Sequence, residues 1–199
     1  MKKAQKVLVV FVILNIYLCP LSWSDITSAA MVTAERILID FKNTDERENW
    51  QIINDDVMGG VSQSEIIFND TGTATFQGRI SLENNGGFAS TRSKFHSYRL
   101  GGYIGLDLRI KGDGKDYQLR VRTDNRLDGI SYRYRFATQP ETWMNIRVPF
   151  SEFDPVFRGR ILSNVAPISP EQIQQVGFLI SDKQAGKFHI EIDWIKAYK

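Results

Sequence analysis

Two pairs of neighbouring carboxylates have the residue types and spacing that acid–base chemistry requires. Asp55 and Asp56 are adjacent, whereas Glu191 and Asp193 are separated by one residue in a segment with strand-like alternation. Side chains at i and i+2 of a strand point to the same face, so the second pair is arranged as a general acid and base would be. A structural role competes with this interpretation and is the one we favour, because arginines on neighbouring strands would form ion pairs with these acids.

The other reactive residues argue against catalysis. The chain has two histidines, His96 and His189, and its single cysteine, Cys19, lies in the N-terminal segment. Neither an H-E-x-x-H nor a G-x-S-x-G motif is present. His189 alternates with apolar residues on the last predicted strand, which indicates a solvated face. We therefore expect a protein that is not an enzyme, with no catalytic residue, no metal site and no cofactor.

Two glycine-rich segments are weaker signals for a ligand. Gly101–Gly105 lacks the spacing of a dinucleotide-binding loop and runs into a strand. Gly112-Asp113-Gly114 resembles a calcium loop faintly but lacks the ligand spacing of an EF-hand, so we interpret it as a two-residue hairpin turn. A structural calcium ion in one of the loops remains an alternative.

Six arginines fall on polar positions of neighbouring predicted strands and are expected to form one polar stripe. They are Arg109, Arg120, Arg122, Arg133, Arg135 and Arg147. Trp143 and Asn145 have the same parity, so the stripe predicts a groove for an anionic or carbohydrate ligand, or for a partner protein. The alternative is a solvated face with ion pairs worth less than about 1 kcal/mol each.

The elements that must position these groups are strands, because apolar and polar residues alternate between glycine-containing turns. The predicted strands are Arg36–Phe41, Ser62–Phe68, Thr73–Ile80, Gly87–Arg92, Tyr103–Lys111, Tyr117–Thr123, Ile130–Thr138, Trp143–Phe150, Val176–Ser181 and Phe188–Tyr198. One short helix is predicted from Ser169 as N-cap, Pro170 at the first helical position and Gln172 closing a capping box. The predicted fold class is all-β, an antiparallel β-sandwich of jelly-roll type with one short helix.

The N-terminus has the features of a signal peptide. Lysines precede the apolar run Val7–Leu14, and Ser22-Trp23-Ser24 places small residues before a cut at Asp25. A cut after Ala30 and an uncleaved membrane anchor are the alternatives. This pattern predicts residues 1–24 as signal peptide and residues 36–198 as one domain of a secreted or periplasmic protein. Three of the 25 lysines and arginines lie in the leader, and the remaining 22 against 23 acids give no reason to expect nucleic acid binding.

The segment Trp50–Ser62, WQIINDDVMGGVS, is not explained by strand patterning, because it sets an apolar Met58 between two acids and a glycine pair. It strongly resembles the signature of the complex I intermediate-associated protein 30 family. The resemblance continues in order through Gly78, Ser81–Ser90, Arg92, Lys111–Lys115, Tyr117, Trp143, Pro149–Phe150, Phe157–Arg160, Gly177–Gly186 and Ile192–Ile195.

This resemblance implies a galactose-binding-like jelly roll, similar to family 11 carbohydrate-binding modules, without known enzymatic activity. Mitochondrial members of the family act as assembly chaperones for NADH:ubiquinone oxidoreductase. For an exported chain we expect a binding or chaperone-like module that assists assembly or stability of a membrane or envelope protein complex. The alternative is a carbohydrate- or small-ligand-binding module. Membrane contact is expected only through an uncleaved leader.

The family signature has a structural interpretation and a binding interpretation. Asn54, Asp55 and Asp56 are expected to cap backbone amides and fix the loop, with Arg92 paired to one of the acids and Asn85–Phe88 packed beside it. In the binding interpretation these residues contact a ligand or partner. The tentative binding residues are Asn54, Asp55, Asp56, Met58, Arg92, Arg120, Arg122, Arg133, Arg135 and Trp143.

Overall fold

Within residues 35–126 and 128–199, the parts of the chain that this computed structural model describes, the backbone forms thirteen β-strands. They are β1 (Arg36–Asp40), β2 (Trp50–Asn54), β3 (Gln63–Phe68), β4 (Ala74–Ile80), β5 (Ala89–Ser93), β6 (Gly105–Gly112), β7 (Asp116–Arg122), β8 (Ser131–Ala137), β9 (Trp143–Pro149), β10 (Asp154–Phe157), β11 (Arg160–Ile161), β12 (Gln175–Ile180) and β13 (Gly186–Tyr198). The predicted signal peptide, residues 1–24 with a cut as late as residue 30, lies outside the described residues.

The strands form two sheets whose ladders are antiparallel. The first sheet has the order β3-β4-β13-β6-β9, with β1 also paired to β13, and the second has the order β11-β10-β8-β7-β12-β5-β2. Strand β13 is long enough to pair with β4 along its first half and with β1 along its second half. Several neighbours, such as β4 and β13 or β5 and β12, are distant in sequence, as expected for a jelly-roll-type sandwich, and the predicted fold class agrees with this architecture.

The core lies where the inner faces of the two sheets carry apolar side chains. On β6, Leu106, Leu108 and Ile110 are fully buried, while the polar residues between them point outward. On β7, Leu119 and Val121 are likewise fully buried. Because side chains alternate between the faces of a strand, this core side fixes which polar residues share each outer face.

Three strands were not predicted. Strand β2 lies inside the family signature and carries adjacent isoleucines, Ile52 and Ile53, instead of alternating polarity. Strand β10 contains Pro155, which normally argues against a strand, and β11 has only two residues. These strands lie at or near the edges of the second sheet, where tertiary pairing determines the backbone more than local pattern does.

The helical prediction was partly wrong. Pro170–Gln172 forms a single 3-10 turn, in which the Ser169 side chain makes no cap and its hydroxyl contacts Glu171 Oε1 at 2.8 Å. The described residues contain no α-helix, and the further 3-10 turns are Thr44–Asn49, Asp55–Met58, Glu83–Asn85 and Phe150–Glu152. None of the helices in residues 35–126 and 128–199 is long and apolar enough to cross a membrane.

The interpretation of Gly112-Asp113-Gly114 as a hairpin turn was wrong, because β6 and β7 belong to different sheets. The chain instead crosses from the first sheet to the second at this segment, and the Asp113 carboxylate holds the crossing in place. Its Oδ1 accepts hydrogen bonds from the Lys115 amide (3.1 Å) and the Tyr117 hydroxyl (3.0 Å), and its Oδ2 accepts one from the His189 amide (3.1 Å). Burial is the main reason that the pKa of Tyr117 lies well above its usual range.

Candidate functional site

The Asp55 carboxylate is the centre of the family signature and is completely buried. It accepts four hydrogen bonds: from the Ser62 amide (2.9 Å), the Ser62 hydroxyl (2.5 Å), the Gly87 amide (2.6 Å) and the Phe88 amide (3.2 Å). A buried carboxylate requires several donors of this kind, since unpaired burial of a charge is strongly unfavourable. The expectation that this acid caps backbone amides and fixes the loop is therefore confirmed, as is the packing of Asn85–Phe88 beside it.

These hydrogen bonds join two loops that are distant in sequence. Ser62 also accepts a hydrogen bond from the Ser81 amide at 3.0 Å, so the turn that follows β2 is tied to the loop between β4 and β5 at both ends. Gly60 and Gly86 leave room for the carboxylate, because a Cβ atom on either glycine would overlap Asp55. The glycines and the acid in the signature thus form one packed unit.

The pKa of Asp55 is lower than its ordinary value of 3.8. Burial alone would raise it, but the Ser62 hydroxyl and the amides of Gly87, Ser62 and Phe88 together outweigh burial. Asp55 therefore stays ionised at neutral pH and has the properties of a structural anion. A general acid requires the opposite, a raised pKa.

Of the other two polar signature residues, Asp56 caps a backbone amide as expected, whereas the expected cap by Asn54 was wrong, because its side chain binds a hydroxyl instead. Asp56 is exposed, and its Oδ1 accepts a hydrogen bond from the Val57 amide at 3.1 Å. Asn54 Oδ1 accepts a hydrogen bond from the Ser64 hydroxyl at 2.5 Å. Both contacts shape the turn, and Asp56 retains a solvent-facing carboxylate oxygen.

Around this unit, four apolar side chains point into solvent, and we call them the apolar loop cluster. They are Val57 (67% exposed), Met58 (65%), Val61 (46%) and Leu82 (45%). The sequence singled out only Met58; Val57 and Val61 lie in the same signature and Leu82 in the segment Ser81–Ser90, but an aliphatic residue type does not by itself predict exposure. Their common exposure depends on the Asp55 contacts, which hold both loops in fixed positions.

The pair Glu191 and Asp193 is engaged in ion pairs, as the favoured interpretation expects. Glu191 contacts Lys111 Nζ at 2.7 Å, and Asp193 contacts Arg109 Nε at 3.1 Å. Burial alone would raise the pKa of Glu191, but hydrogen bonds from Lys111 and Thr73 lower it. Each carboxylate is thus held by a cation, which is the structural arrangement that the favoured interpretation predicts.

The prediction of one arginine stripe was wrong, because the strands concerned belong to different sheets. Arg109 and Arg147 lie on the first sheet, where Arg147 pairs with Asp107 at 2.8 Å. Trp143 also lies there, with Arg109 Cζ 5.2 Å and Lys111 Nζ 5.3 Å from its ring centroid. Parity along each strand was read correctly, but sheet membership is not encoded in parity.

The remaining arginines of the predicted stripe lie with Arg92 on the outer face of the second sheet. We call these five residues the arginine row: Arg92, Arg120, Arg122, Arg133 and Arg135. Arg133 on β8 is directly opposite Arg120 on β7, Arg120 is opposite Gly177 on β12, and Gly177 is opposite Arg92 on β5. Arg122 lies two residues after Arg120 on β7, and Arg135 lies two residues after Arg133 on β8, so each is on the same face as its neighbour. Arg92 is thus placed beside the other arginines, while the partners of Asp55 are Ser62, Gly87 and Phe88.

A cavity of about 630 Å³ lies over β3, β4 and β13. Polar side chains line it, and its one aromatic residue, Phe188, is 2% exposed and offers no stacking surface. His189 is in the lining and contacts Glu141 Oε1 at 2.7 Å. Among the described residues, no group of three histidine, cysteine or acidic side chains is placed to hold a metal ion.

Comparison with known proteins gives a family match. Residues 39–192 match the family model described as Complex I intermediate-associated protein 30. The mitochondrial protein of that name from Mus musculus is 25% identical over 185 residues, covering 82% of this chain and 56% of the relative. The probable one from Caenorhabditis elegans is 27% identical over 179 residues, covering 79% and 52%. The chain thus spans about half the length of these curated relatives.

Solved structures of similar fold are carbohydrate-active proteins. A family 11 carbohydrate-binding module from the Clostridium thermocellum cellulase Lic26A-Cel5E aligns with a TM-score of 0.63 at 18% identity, covering 82% of this chain and 94% of the module. An agarase aligns with a TM-score of 0.56 at 9% identity, covering 83% and 24%. At such identities the likeness is evidence for the fold alone, and it confirms the predicted all-β sandwich of jelly-roll type.

The predicted secreted or periplasmic location was wrong. The relatives from Mus musculus, Caenorhabditis briggsae, Drosophila melanogaster and Neurospora crassa are all named as mitochondrial proteins, and this points to mitochondria. The prediction depended on an apolar N-terminal segment with preceding lysines, which lies outside the described residues.

Proposed function

The chain belongs to the complex I intermediate-associated protein 30 family, and from this premise we propose that it is a mitochondrial, non-enzymatic binding module that assists complex I assembly. Its client in this proposal is a protein of a complex I assembly intermediate. The names of its mitochondrial relatives support the choice of client and compartment.

The observation that carries the proposal is the apolar loop cluster. Val57 and Met58 are about two-thirds exposed, yet they sit on a turn fixed by a completely buried carboxylate. Apolar side chains held out of the core by a rigid loop are typical of a protein-binding surface. Because the loop is already ordered, binding would lose less conformational entropy than it would with a flexible loop.

Electrostatics support a neutral, apolar contact as the centre of this surface. Asp55 is internal and does not reach the surface, and Asp56 is the exposed charge of the turn. A partner with an apolar patch and a cation at its rim would match this arrangement, since interfaces commonly combine an apolar core with a polar rim.

The acids also support a non-enzymatic function. Asp55 accepts four hydrogen bonds, and Glu191 and Asp193 are paired with cations. Each therefore has a structural role that explains its presence without catalysis.

The test is co-purification from mitochondria. The tagged full-length chain, isolated from detergent-solubilised mitochondria, is expected to bring complex I subunits with it. The double variant V57S/M58S is expected to lose at least about 90% of these subunits, since removing apolar anchors from an interface centre commonly costs more than 1 kcal/mol each.

A matched control is Ile104→Ser, which removes a similarly exposed aliphatic side chain (59%) from the segment before β6. It is expected to retain the subunits, and both proteins are expected to keep the melting temperature of the wild type. Failure of the wild-type chain to retain complex I subunits would contradict the proposed client. Equal retention by V57S/M58S would contradict the proposed surface.

Carbohydrate binding has weaker support. Trp143, which was predicted to belong to a groove for an anionic or carbohydrate ligand, lies on the first sheet with Arg109 and Lys111 over its ring. The 630 Å³ cavity offers no exposed aromatic ring, and stacking on such rings is the usual apolar contact to a sugar face.

A further inference from the structure

The outer face of the second sheet carries polar side chains that are nevertheless buried. Ser90, Gln118, Ser131 and Gln175 expose 6% or less of their surface, and Arg133 exposes 7%. An outward sheet face is normally solvated in antiparallel sandwiches, so a buried polar layer here needs an explanation.

A notch lies in the middle of this face. Gly177 has no side chain and is flanked in register by Arg120 and Arg92, whose backbones are about 10 Å apart because two strand spacings separate them. Ser90, Arg122, Ser131 and Gln175 are its further polar lining residues besides Thr91, and the cavity has a volume of about 40 Å³. That volume admits a group about as large as a few water molecules and excludes a sugar ring.

Among the described residues, two arginines of this face form direct ion pairs, whereas Arg120 does not. Arg133 pairs with Asp154 at 3.1 Å and Arg135 with Asp182 at 2.7 Å. The hydrogen bonds of Arg120, by contrast, end on neutral oxygens, Gln118 Oε1 (2.7 and 3.0 Å) and Ser131 Oγ (2.9 Å).

Arg122 also lacks an ion pair within the described residues, and Arg133 keeps one buried donor unused. The hydrogen bonds of Arg122 end on the carbonyl oxygens of Gly129 (2.8 Å) and Arg126 (3.5 Å). The Nε of Arg133 is buried without a hydrogen-bond partner. Asp124 and Asp128 act on Arg122 from the periphery, and neither lines the notch.

The cations also repel one another. Burial, followed by the charges of Arg133, Arg122 and Arg92, lowers the pKa of Arg120 to about 9. Burial and the charge of Arg122 lower the pKa of Arg92 to about 10. Arg120 and Arg92 remain protonated at neutral pH, so like charges are held together in a poorly solvated site. An anion in the notch would remove this repulsion.

We propose that the notch over Gly177, between Arg120, Arg122 and Arg92, binds a single phosphate group. Planar guanidinium groups donate paired hydrogen bonds to phosphate oxygens, and several of them match a tetrahedral oxyanion better than a two-oxygen carboxylate. The Ser131 hydroxyl and the amide of Gln175, which has one N–H beyond that donated to the Ser93 carbonyl oxygen, supply further donors. This site is separate from the apolar loop cluster, so either proposal can fail without the other.

Thermal unfolding in inorganic phosphate tests the site. At matched ionic strength and neutral pH, phosphate is expected to raise the melting temperature of the wild-type chain about 3 °C above its value in chloride. Acetate is expected to give less than about a third of that rise, because it offers only two oxygens and one charge.

Variants of the arginines locate the effect. Arg120→Gln and Arg122→Gln are expected to reduce the phosphate-induced rise to less than about 1 °C. The control Arg79→Gln removes an exposed charge from β4 of the first sheet and is expected to keep the full rise. If Arg120→Gln does not fold, Arg122→Gln carries the test, because its side chain is less enclosed.

Three results would overturn the proposal. One is a wild-type melting temperature that rises no more in phosphate than in chloride. Another is a phosphate-induced rise in melting temperature that is as large in Arg120→Gln and Arg122→Gln as in Arg79→Gln, which would indicate general salt stabilisation. The third is a rise in acetate as large as in phosphate, which would assign the notch to a carboxylate.

The source of the phosphate is resolved with vesicles. Phosphatidylcholine vesicles containing phosphatidic acid are expected to sediment the wild-type chain, and Arg120→Gln less so, if the group belongs to a lipid. Phosphate-induced stabilisation without such sedimentation supports the site with a soluble phosphate ester as its ligand.

Discussion

The carboxylate of Asp55 and the backbone amide of Gly87, 32 residues further along the chain, are joined by a hydrogen bond of 2.6 Å. This contact closes the turn after β2 against the loop before β5, and the exposed side chains of the apolar loop cluster depend on it. A single acid thus determines the position of a surface to which it does not itself belong.

Asp55→Ala is expected to lower the free energy of unfolding by about 3–5 kcal/mol, because it removes the carboxylate acceptor of the buried Ser62 amide and hydroxyl and of the partly buried Gly87 and Phe88 amides. Urea unfolding monitored by tryptophan fluorescence measures this loss. Asp56→Ala, in which only an exposed cap is removed, is expected to cost less than about 1 kcal/mol. Similar losses in the two variants would show that Asp55 does not hold the loops.

Stability at acid pH should depend on the same carboxylate. The folded-state pKa of Asp55 is below its ordinary value of 3.8, so its contribution is fully present above pH 3.8 and is lost as pH falls through the folded-state pKa. Asp55→Asn lacks this titration, and the stability difference between wild type and variant is expected to narrow below pH 3.8. Unfolding curves across this range measure it, and a constant difference would contradict the assignment.

The glycine pair of the signature should respond unequally to alanine. Gly59 has a φ of 88° and open space around it, so Gly59→Ala is expected to cost about 1–2 kcal/mol of backbone strain. Gly60→Ala places a Cβ on the Asp55 side chain and is expected to cost more. In a double-mutant cycle with Asp55→Ala, the cost of Gly60→Ala should fall by at least about 1 kcal/mol. Additive losses would show that the two residues are not coupled.

Calcium should not affect the stability of the segment Gly112–Gly114, where the chain crosses between the sheets. The Asp113 oxygens accept hydrogen bonds from the Lys115 amide, the Tyr117 hydroxyl and the His189 amide, so both are already occupied. Calcium or a chelator is expected to leave the melting temperature unchanged, while Asp113→Ala is expected to cost about 2–4 kcal/mol. A calcium-dependent increase that Asp113→Ala abolishes would restore the interpretation of this segment as an ion site.

Trp143→Ala separates carbohydrate binding from the two proposed surfaces. The tryptophan lies on the first sheet beside Arg109 and Lys111, so its removal is expected to leave both phosphate stabilisation and complex I co-purification unchanged. A stability loss of about 1–2 kcal/mol is expected from the lost packing and cation contacts. Saturable binding of the wild type on a glycan array, lost in this variant, would instead favour a carbohydrate-binding module.

Local pattern was sufficient for most of the fold. Alternation located the strands around Leu106–Ile110 and Tyr117–Arg122, because each must turn one face to the core. It did not locate β10, since Pro155 argues against a strand and only pairing with β8 makes it one. It also mistook Gly112–Gly114 for a hairpin, because a turn within a sheet and a crossing between sheets use the same residues.

The sequence by itself determined the family, most of the strands and the importance of the segment that contains Asp55, because these follow from a contiguous signature and from two-residue periodicity. Only the tertiary structure decided which polar residues share a face. Arg109 and Arg120 have equivalent positions in their strands, yet one lies on each sheet. Strand pairing joins residues far apart in sequence, such as Arg120 to Gly177 and Gly177 to Arg92, and no local period encodes those partners.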